Sequence, residues 1–339
     1  MIGRIYRLMD AKRIEMVQRE LKFNENDLIL KPDYLSICAA DQRYYFGNRP
    51  PEILSEKLPM ALIHEATATV LYDGKGELSR GSKVVIVPLI ENESTEKIKA
   101  NYNPENKFSS SGVDGFMQDL ISVPHSRVIP IEKDYSVEYV FTELVSVVVN
   151  AIEAFEKAKV RDVETIGVWG DGNMGVVVSL VLRCLYPNAK IFVLGKSFRK
   201  LQHFPFVDGV YLIDKLPINF TVDHCFECVG GKNSDIALQQ ILNVIEPQGC
   251  VNLLGVSENP VSISTRTVLD KGLILIGNSR STVADMQKAV KLISENSVCR
   301  KYLRMLISET ITIKKETDMM HAFEQSILND FKTVMKWEV

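Results

Sequence analysis

Short, largely apolar β-type runs, punctuated by Gly, Pro and Asn, fill the first part of the chain. LILKPDYLSI, ATATVLYDG, KVVIVPLI and LISVPHSRVIPI read as short β-strands. Few helices announce themselves there, and the polar, turn-rich stretch 91–112 reads as a long surface loop. From about residue 146 the rhythm becomes strand, helix, strand, through ETIGVWG, NMGVVVSLVLRCLY, AKIFVLG, GVYLID, VDHCFECVG, CVNLLGV and LILIGN. That order predicts an α/β fold with a parallel sheet and crossover helices. The tail offers an amphipathic helix in TVADMQKAVKLISEN and a strand in LISETITI, and is expected to rejoin the first domain. The predicted division is a β-rich domain at 1–145, completed by 277–339, and an α/β domain at 146–276.

Composition adds limits. A chain of 339 residues is longer than one core usually serves, so two domains are expected. Apolar residues at 46% and charged residues at 24% exclude a disordered chain. The 40 basic side chains against 43 acidic ones give a formal charge of −3, with no basic block to track a phosphate backbone, so a nucleic-acid partner is not expected. No apolar run reaches the roughly 18 residues needed to span a bilayer. The start MIGRIYRLMDAKRIEM mixes charged with apolar residues, unlike a signal peptide, so a cytoplasmic protein without a membrane partner is expected. Six scattered cysteines are expected as reduced thiols. Cys225 and Cys228 lie in a strand-like run at an odd separation, which argues against a redox pair or a metal pinch.

The first chemistry lies in GDGNMG. Gly170, Gly172 and Gly175, with Asn173 and Met174 between the last two, follow an apolar strand and open an apolar helix. In that setting the first glycine permits a tight turn, the second lets backbone approach a pyrophosphate, and the third lets helix and strand pack closely. Asp171 is expected to point away. At the end of the second strand, where an NAD-selective site carries an acid, IFVLGKSFRK has Gly195. Lys196, Ser197 and Arg199, with Lys200 beside them, supply cations and a hydroxyl suited to a 2′-phosphate, which points to NADPH; the plain alternative is a solvated basic turn. Two later turns, at Cys228, Val229 and Gly230 and at Leu254, Gly255 and Val256, end strands on the side where ligands of open α/β sheets bind. Arg280 in NSRS is a further candidate for the pyrophosphate.

Cys38 raises a second question, because a lone cysteine is more often a buried small hydrophobe than a ligand. His64 and Glu65 are adjacent in LIHEATATV, and neighbours on an extended strand point apart, so they converge on one ion only if the chain bends there. Glu143 opens a strongly apolar stretch, where an ionised carboxylate needs compensation. Taken singly, each keeps a bland reading: a core thiol, a satisfied histidine, an acid at the positive end of a helix dipole.

The order C-x-x-D, then H-E, then an acid opening a helix, then G-x-G-x-x-G, resembles the zinc-dependent medium-chain dehydrogenase/reductase superfamily, its polyol dehydrogenases above all. The resemblance implies a GroES-like β-rich catalytic domain with a Rossmann coenzyme domain, and one catalytic zinc (Zn2+) on Cys38, His64 and Glu143. It implies that Glu65 either binds the metal or holds its water, that Asp41 orients the histidine, and that Tyr44 is an active-site tyrosine. The strings SICAADQRYYFGNR, KLPMALIHEA, SSSGVDGFMQD, GVWGDGNMG, FECVGG, LLGVSENPV and LIGNSRS are similar to the ribulose-5-phosphate reductases. That family implies zinc-assisted hydride transfer from NADPH to D-ribulose 5-phosphate, giving D-ribitol 5-phosphate for CDP-ribitol in teichoic acid or capsule synthesis. It also implies a homodimer, and a cytidylyltransferase partner by pathway. Arg43, with Arg49 behind it, is the candidate cation for the substrate phosphate, though each also reads as a plain surface arginine. Three positions depart from the superfamily: Ala40 replaces a proton-relaying hydroxyl, Ile63 replaces the glycine before His-Glu, and 91–112 lacks the cysteines of a structural zinc, which is therefore not expected. A dehydrogenase for another polyol or sugar phosphate is the competing enzyme reading, and a non-catalytic NADPH-binding sensor or scaffold is the competing reading from another class.

Overall fold

Two of these strand-like runs pair with each other in the computed structural model, which describes residues 2–92 and 98–339. Strands Leu28–Ser36 and Glu65–Asp73 are antiparallel, and their inward-facing Leu28, Leu30, Leu35, Ala66, Ala68 and Val70 join one buried cluster with Tyr6, Phe116 and Trp337. The register shifts between Pro32 and Tyr34, and this irregularity lets Leu35 share the face of Leu28 and Leu30 although its parity differs. From the far end of the chain, Lys332–Trp337 pairs antiparallel with Leu28–Ser36 and parallel with Ile307–Ile313. The compact unit thus built comprises Met1–Ser146 and Ser281–Val339.

Two helices interrupt this strand-rich unit where sequence periodicity is too short to reveal them, Ala39–Tyr45 and Pro51–Lys57. The first is started by a cap that composition hides. Cys38 Sγ accepts from the backbone N–H of Asp41 at 3.4 Å, while the Asp41 carboxylate accepts from the N–H of Cys38 at 3.1 Å. This is a capping box with a thiol in place of the usual hydroxyl. The stretch 91–112 is not the surface loop that its polarity predicts: Asn101, Asn103, Asn106, Ser109 and Ser110 are buried, and the Asn106 amide spans Ala100 O and the N–H of Asn92. Amide side chains there satisfy buried backbone groups that no ladder reaches. Residues 93–97 of that stretch lie outside the described residues.

The second compact unit, Val147–Arg280, is a six-stranded parallel sheet. Its order is Gly209–Leu212, Lys190–Gly195, Thr165–Trp169, His224–Glu227, Cys250–Leu253, Ile274–Gly277. Chain order reverses beside Thr165–Trp169, the switch point at which doubly wound sheets bind dinucleotides. Together the two units make the expected α/β fold, a β-rich domain and a Rossmann domain. No helix among the described residues is long and apolar enough to cross a membrane.

Candidate functional site

Within the first unit, the end of strand Leu28–Ser36 and the capped helix after it fix Cys38, while a bend fixes His64 and Glu65. The bend is Ile63, whose φ of +73° is the left-handed conformation that a glycine adopts freely and a β-branched residue rarely does. The Ile63 N–H donates to Asp41 Oδ1 at 3.1 Å and its carbonyl accepts from Phe116 at 2.8 Å, which holds the strained backbone in place. As a result Cys38, His64 and Glu65 bring their ligand atoms within 4.8 Å of one another.

Cys38 Sγ and His64 Nε2 are 3.5 Å apart. Two ligands bound tetrahedrally to one zinc at ordinary Zn–S and Zn–N lengths stand roughly 3.5 Å apart. On its other side the imidazole presents Nδ1 to Asp41 Oδ1 at 3.7 Å, and that oxygen also accepts from Ser110 Oγ at 2.8 Å. Burial pulls the His64 pKa down, but Cys38, Asp41 and Glu143 outweigh it and leave it well above the ordinary value. Burial, with Asp41, pushes the Cys38 thiol up. Glu143, in the first turn of helix Thr142–Ala158, is buried, and desolvation raises its carboxyl to about 7 against the pull of His64. It stands outside the tight group of three, although His64 and Glu65 both act on its charge.

Sequence reasoning missed Lys332. Its Nζ meets Glu65 Oε1 at 2.5 Å and also donates to the Ile37 carbonyl at 3.3 Å, with both ionic side chains almost wholly buried. Nothing near position 332 in the sequence marks it, because the partner lies at the other end of the chain. A metal fits this donor set: sulfur, imidazole and carboxylate converge, and Glu65 Oε2 is buried without a hydrogen-bond partner.

The glycine turn of the second unit meets its stated requirements. A Cβ at Gly175 would lie 1.9 Å from Gly170 O, while one at Gly172 would meet nothing within 4 Å, leaving backbone open to a ligand. Gly170 has φ +127° and turns beside Cys228. A cavity of 240 Å³ is lined by Gly170, Gly172, Gly195, Lys196, Cys228 and Val229 among the expected residues, and by Trp169, Asp171, Ile213 and Gln240 besides. Asn173, Met174 and Gly175 form the first turn of the helix beginning there. Ser197, Arg199, Leu254, Gly255, Val256 and Arg280 do not line the cavity. Glu227, also unforeseen, accepts from the N–H groups of Val229, Gly230 and Gly255, so one buried carboxylate ties both late turns together. The expectation for Asp171 is corrected. It does not point away: its Oδ2 accepts from the N–H groups of Lys196 and Ser197.

The chain is similar to known proteins along its whole length. The family model of the alcohol dehydrogenase GroES-like domain matches residues 24–133. The chain is 44% identical over 339 residues to ribulose-5-phosphate reductase 1 of Staphylococcus aureus, covering 99% of each. With ribulose-5-phosphate reductase of Bacillus spizizenii it shares 41% over 341 residues and 100% of each chain. This chain belongs to the ribulose-5-phosphate reductase family. Accordingly it is a medium-chain oxidoreductase, with a GroES-like domain and a Rossmann domain. Among solved structures, Staphylococcus aureus TarJ in complex with NADPH superposes with a TM-score of 0.89 at 41% identity, covering 100% of both chains.

Against that family background the remaining residues fall into place unevenly. Tyr44 is 2% exposed and packs into the first unit's core, with the Arg49 guanidinium 4.6 Å over its ring. Arg43 sits in the last turn of the same helix. Cys228 lines the cavity beside the glycine turn, and burial and Glu227 push its thiol pKa well up. All six cysteines are thiols.

Proposed function

We propose that the chain catalyses NADPH-linked reduction of D-ribulose 5-phosphate to D-ribitol 5-phosphate, with one zinc ion held by Cys38, His64 and the carboxylates Glu65 or Glu143. The single observation that carries this is the convergence of a thiol, an imidazole and a carboxylate within 4.8 Å in a partly buried place, in a chain of this family. A zinc ion bound there supplies Lewis acidity toward the substrate carbonyl and the charge that develops on its oxygen.

The chain's own groups do the remainder. Asp41 faces His64 Nδ1 and so directs Nε2 toward Cys38, selecting the ligating nitrogen. Lys332 holds one oxygen of Glu65 and leaves the other unpaired. Because Ala40 offers no hydroxyl, proton delivery falls to Glu65 or to Tyr44, and Glu65 is the better placed, since it belongs to the tight ligand group. The open backbone at Gly172 receives the pyrophosphate, Gly195 hangs no acid of its own from the strand end at the ribose, and the basic turn at Lys196, Ser197 and Arg199 takes the 2′-phosphate. Arg43 and Arg49 hold the substrate phosphate.

Supply of CDP-ribitol to teichoic acid or capsule synthesis follows from the product, with a ribitol-5-phosphate cytidylyltransferase as the consuming partner in the cytoplasm. A homodimer is supported by strand Ile274–Gly277, which among the described residues has a strand neighbour on one edge only, and by the nearby Leu269 and Leu275, 77% and 37% exposed. The test is NADPH oxidation with ribulose 5-phosphate, run beside NADH, beside unphosphorylated ribulose, and with Cys38→Ser. Substrate-dependent oxidation that favours NADPH and is lost in the variant supports the reading; equal rates with ribulose would overturn the sugar-phosphate assignment.

A further inference from the structure

Asp171 stands at a position where sequence patterns ask for nothing, yet it reaches across to the end of the second strand. Its Oδ2 accepts from the N–H of Lys196 at 2.8 Å and from that of Ser197 at 2.7 Å. A Cβ added to Gly195 would lie 2.6 Å from both the Cβ and Oδ2 of Asp171 and 2.8 Å from its carboxyl carbon. No side chain fits at 195 while Asp171 is there. In sites that select the unphosphorylated coenzyme, an acid hangs from the end of this strand and grips the ribose 2′-hydroxyl. Here a carboxylate arrives from the glycine turn instead, and two backbone N–H groups engage it.

Two effects of that carboxylate oppose each other. Its charge repels a 2′-phosphate, whereas its two charge-assisted hydrogen bonds, stronger than neutral ones, fix the turn carrying Lys196, Ser197 and Arg199. Both bonds run to N–H groups within a single turn, so the carboxylate has a definite geometric task, and its charge is partly neutralised in performing it. Geometry therefore outweighs repulsion.

We propose that Asp171 is a positioning residue for coenzyme choice: with Gly195 it forms a two-residue lock that keeps the 2′-phosphate turn in shape and bars an acid from position 195. The inference rests on the NADPH reading above, and it concerns binding of the dinucleotide alone.

The test is equilibrium titration of the full chain with NADPH and with NADH, followed by nicotinamide fluorescence, without sugar phosphate. Asp171→Ala should weaken NADPH by about tenfold or more and NADH by less than about threefold, whereas Asp171→Asn, which keeps the shape and one acceptor oxygen, should stay within about threefold of the parent for both. Gly195→Ala should weaken both nucleotides, and adding Asp171→Ala to it should cause no further loss, because the two positions share one volume. Gly195→Asp should fail to raise NADH affinity while Asp171 remains. Additive losses in the double variant, tighter NADPH binding by Asp171→Ala, or an Asn variant as weak as the Ala variant would overturn the lock. If the parent chain binds neither nucleotide, the NADPH reading itself fails; if it binds NADPH and the losses add, only the lock does.

Discussion

Lys332 and Glu65 form a buried ion pair beside the candidate ligands, and such a pair is costly to break from one side. Burial alone works against the lysine's charge, but Glu65 and Cys38 outweigh it and raise its pKa. Lys332→Met should leave the Glu65 carboxylate buried without its cation and cost about 3–5 kcal/mol in metal-free protein. A bound cation would compensate that charge, so the loss should shrink when zinc is supplied. Urea unfolding with and without zinc reads both values, and equal losses in the two conditions would place Glu65 away from the metal. This pair, unlike Cys38 and His64, left no mark in the sequence. Cys38 and His64 were legible because their residue types and order are uncommon; Lys332 was not, because only the tail's return beside Leu28–Ser36 brings it to Glu65. Ile63 lies between these cases. The missing glycine was visible, yet not that the backbone would keep a φ of +73° with a buried isoleucine in it, held by Asp41 and Phe116.

At the level of elements, strands and the glycine turn were read from pattern, and the short helices were not. A strand-like apolar run is long enough to see in nine residues such as Leu28–Ser36, whereas Ala39–Tyr45 is under two helical turns and starts at a thiol cap that propensity does not foresee. The turn and the helix after it are inseparable. Gly175→Ala would place a methyl 1.9 Å from Gly170 O and force strand and helix apart, so NADPH binding should fall by more than about tenfold in a fluorescence titration. Unchanged affinity would show that the turn does not carry the coenzyme. Between strands, His224 acts as a staple: its Nδ1 accepts from the N–H of Cys250 at 3.1 Å, so Nε2 carries the proton and donates to Asp162 O at 3.2 Å. Desolvation lowers its pKa below the ordinary 6.5. The folded state thus binds fewer protons than the unfolded one just below that value, and stability rises with pH there. The contribution is full above pH 6.5 and is lost as pH falls toward the folded pKa. Chemical denaturation across that range should follow this slope in the parent and flatten in His224→Gln; an unchanged slope would remove His224 as its source.

For the molecule as a whole, the order of motifs along the chain revealed more than any single motif. It indicated a two-part architecture with a returning tail, and the tail strand Lys332–Trp337 lies inside the first unit's sheet, between Leu28–Ser36 and the edge strand Ile307–Ile313. Association was less legible, because an exposed sheet edge in one chain does not name its partner. If Ile274–Gly277 pairs with its counterpart in a second copy, Leu275→Asp should convert the assembly to monomer in sedimentation velocity without loss of secondary structure; an unaltered assembly would send the interface elsewhere.

The account as a whole depends on a metal held by Cys38 and His64 in a chain that uses NADPH. Its most direct test is replacement of the native metal by cobalt, read by absorption in the near ultraviolet and visible, together with NADPH oxidation on ribulose 5-phosphate. The account predicts one cobalt per chain, a thiolate-to-cobalt band that disappears in Cys38→Ser, and activity that rises and falls with metal content. Full activity in metal-free protein, or a thiolate band untouched by Cys38→Ser, would contradict it.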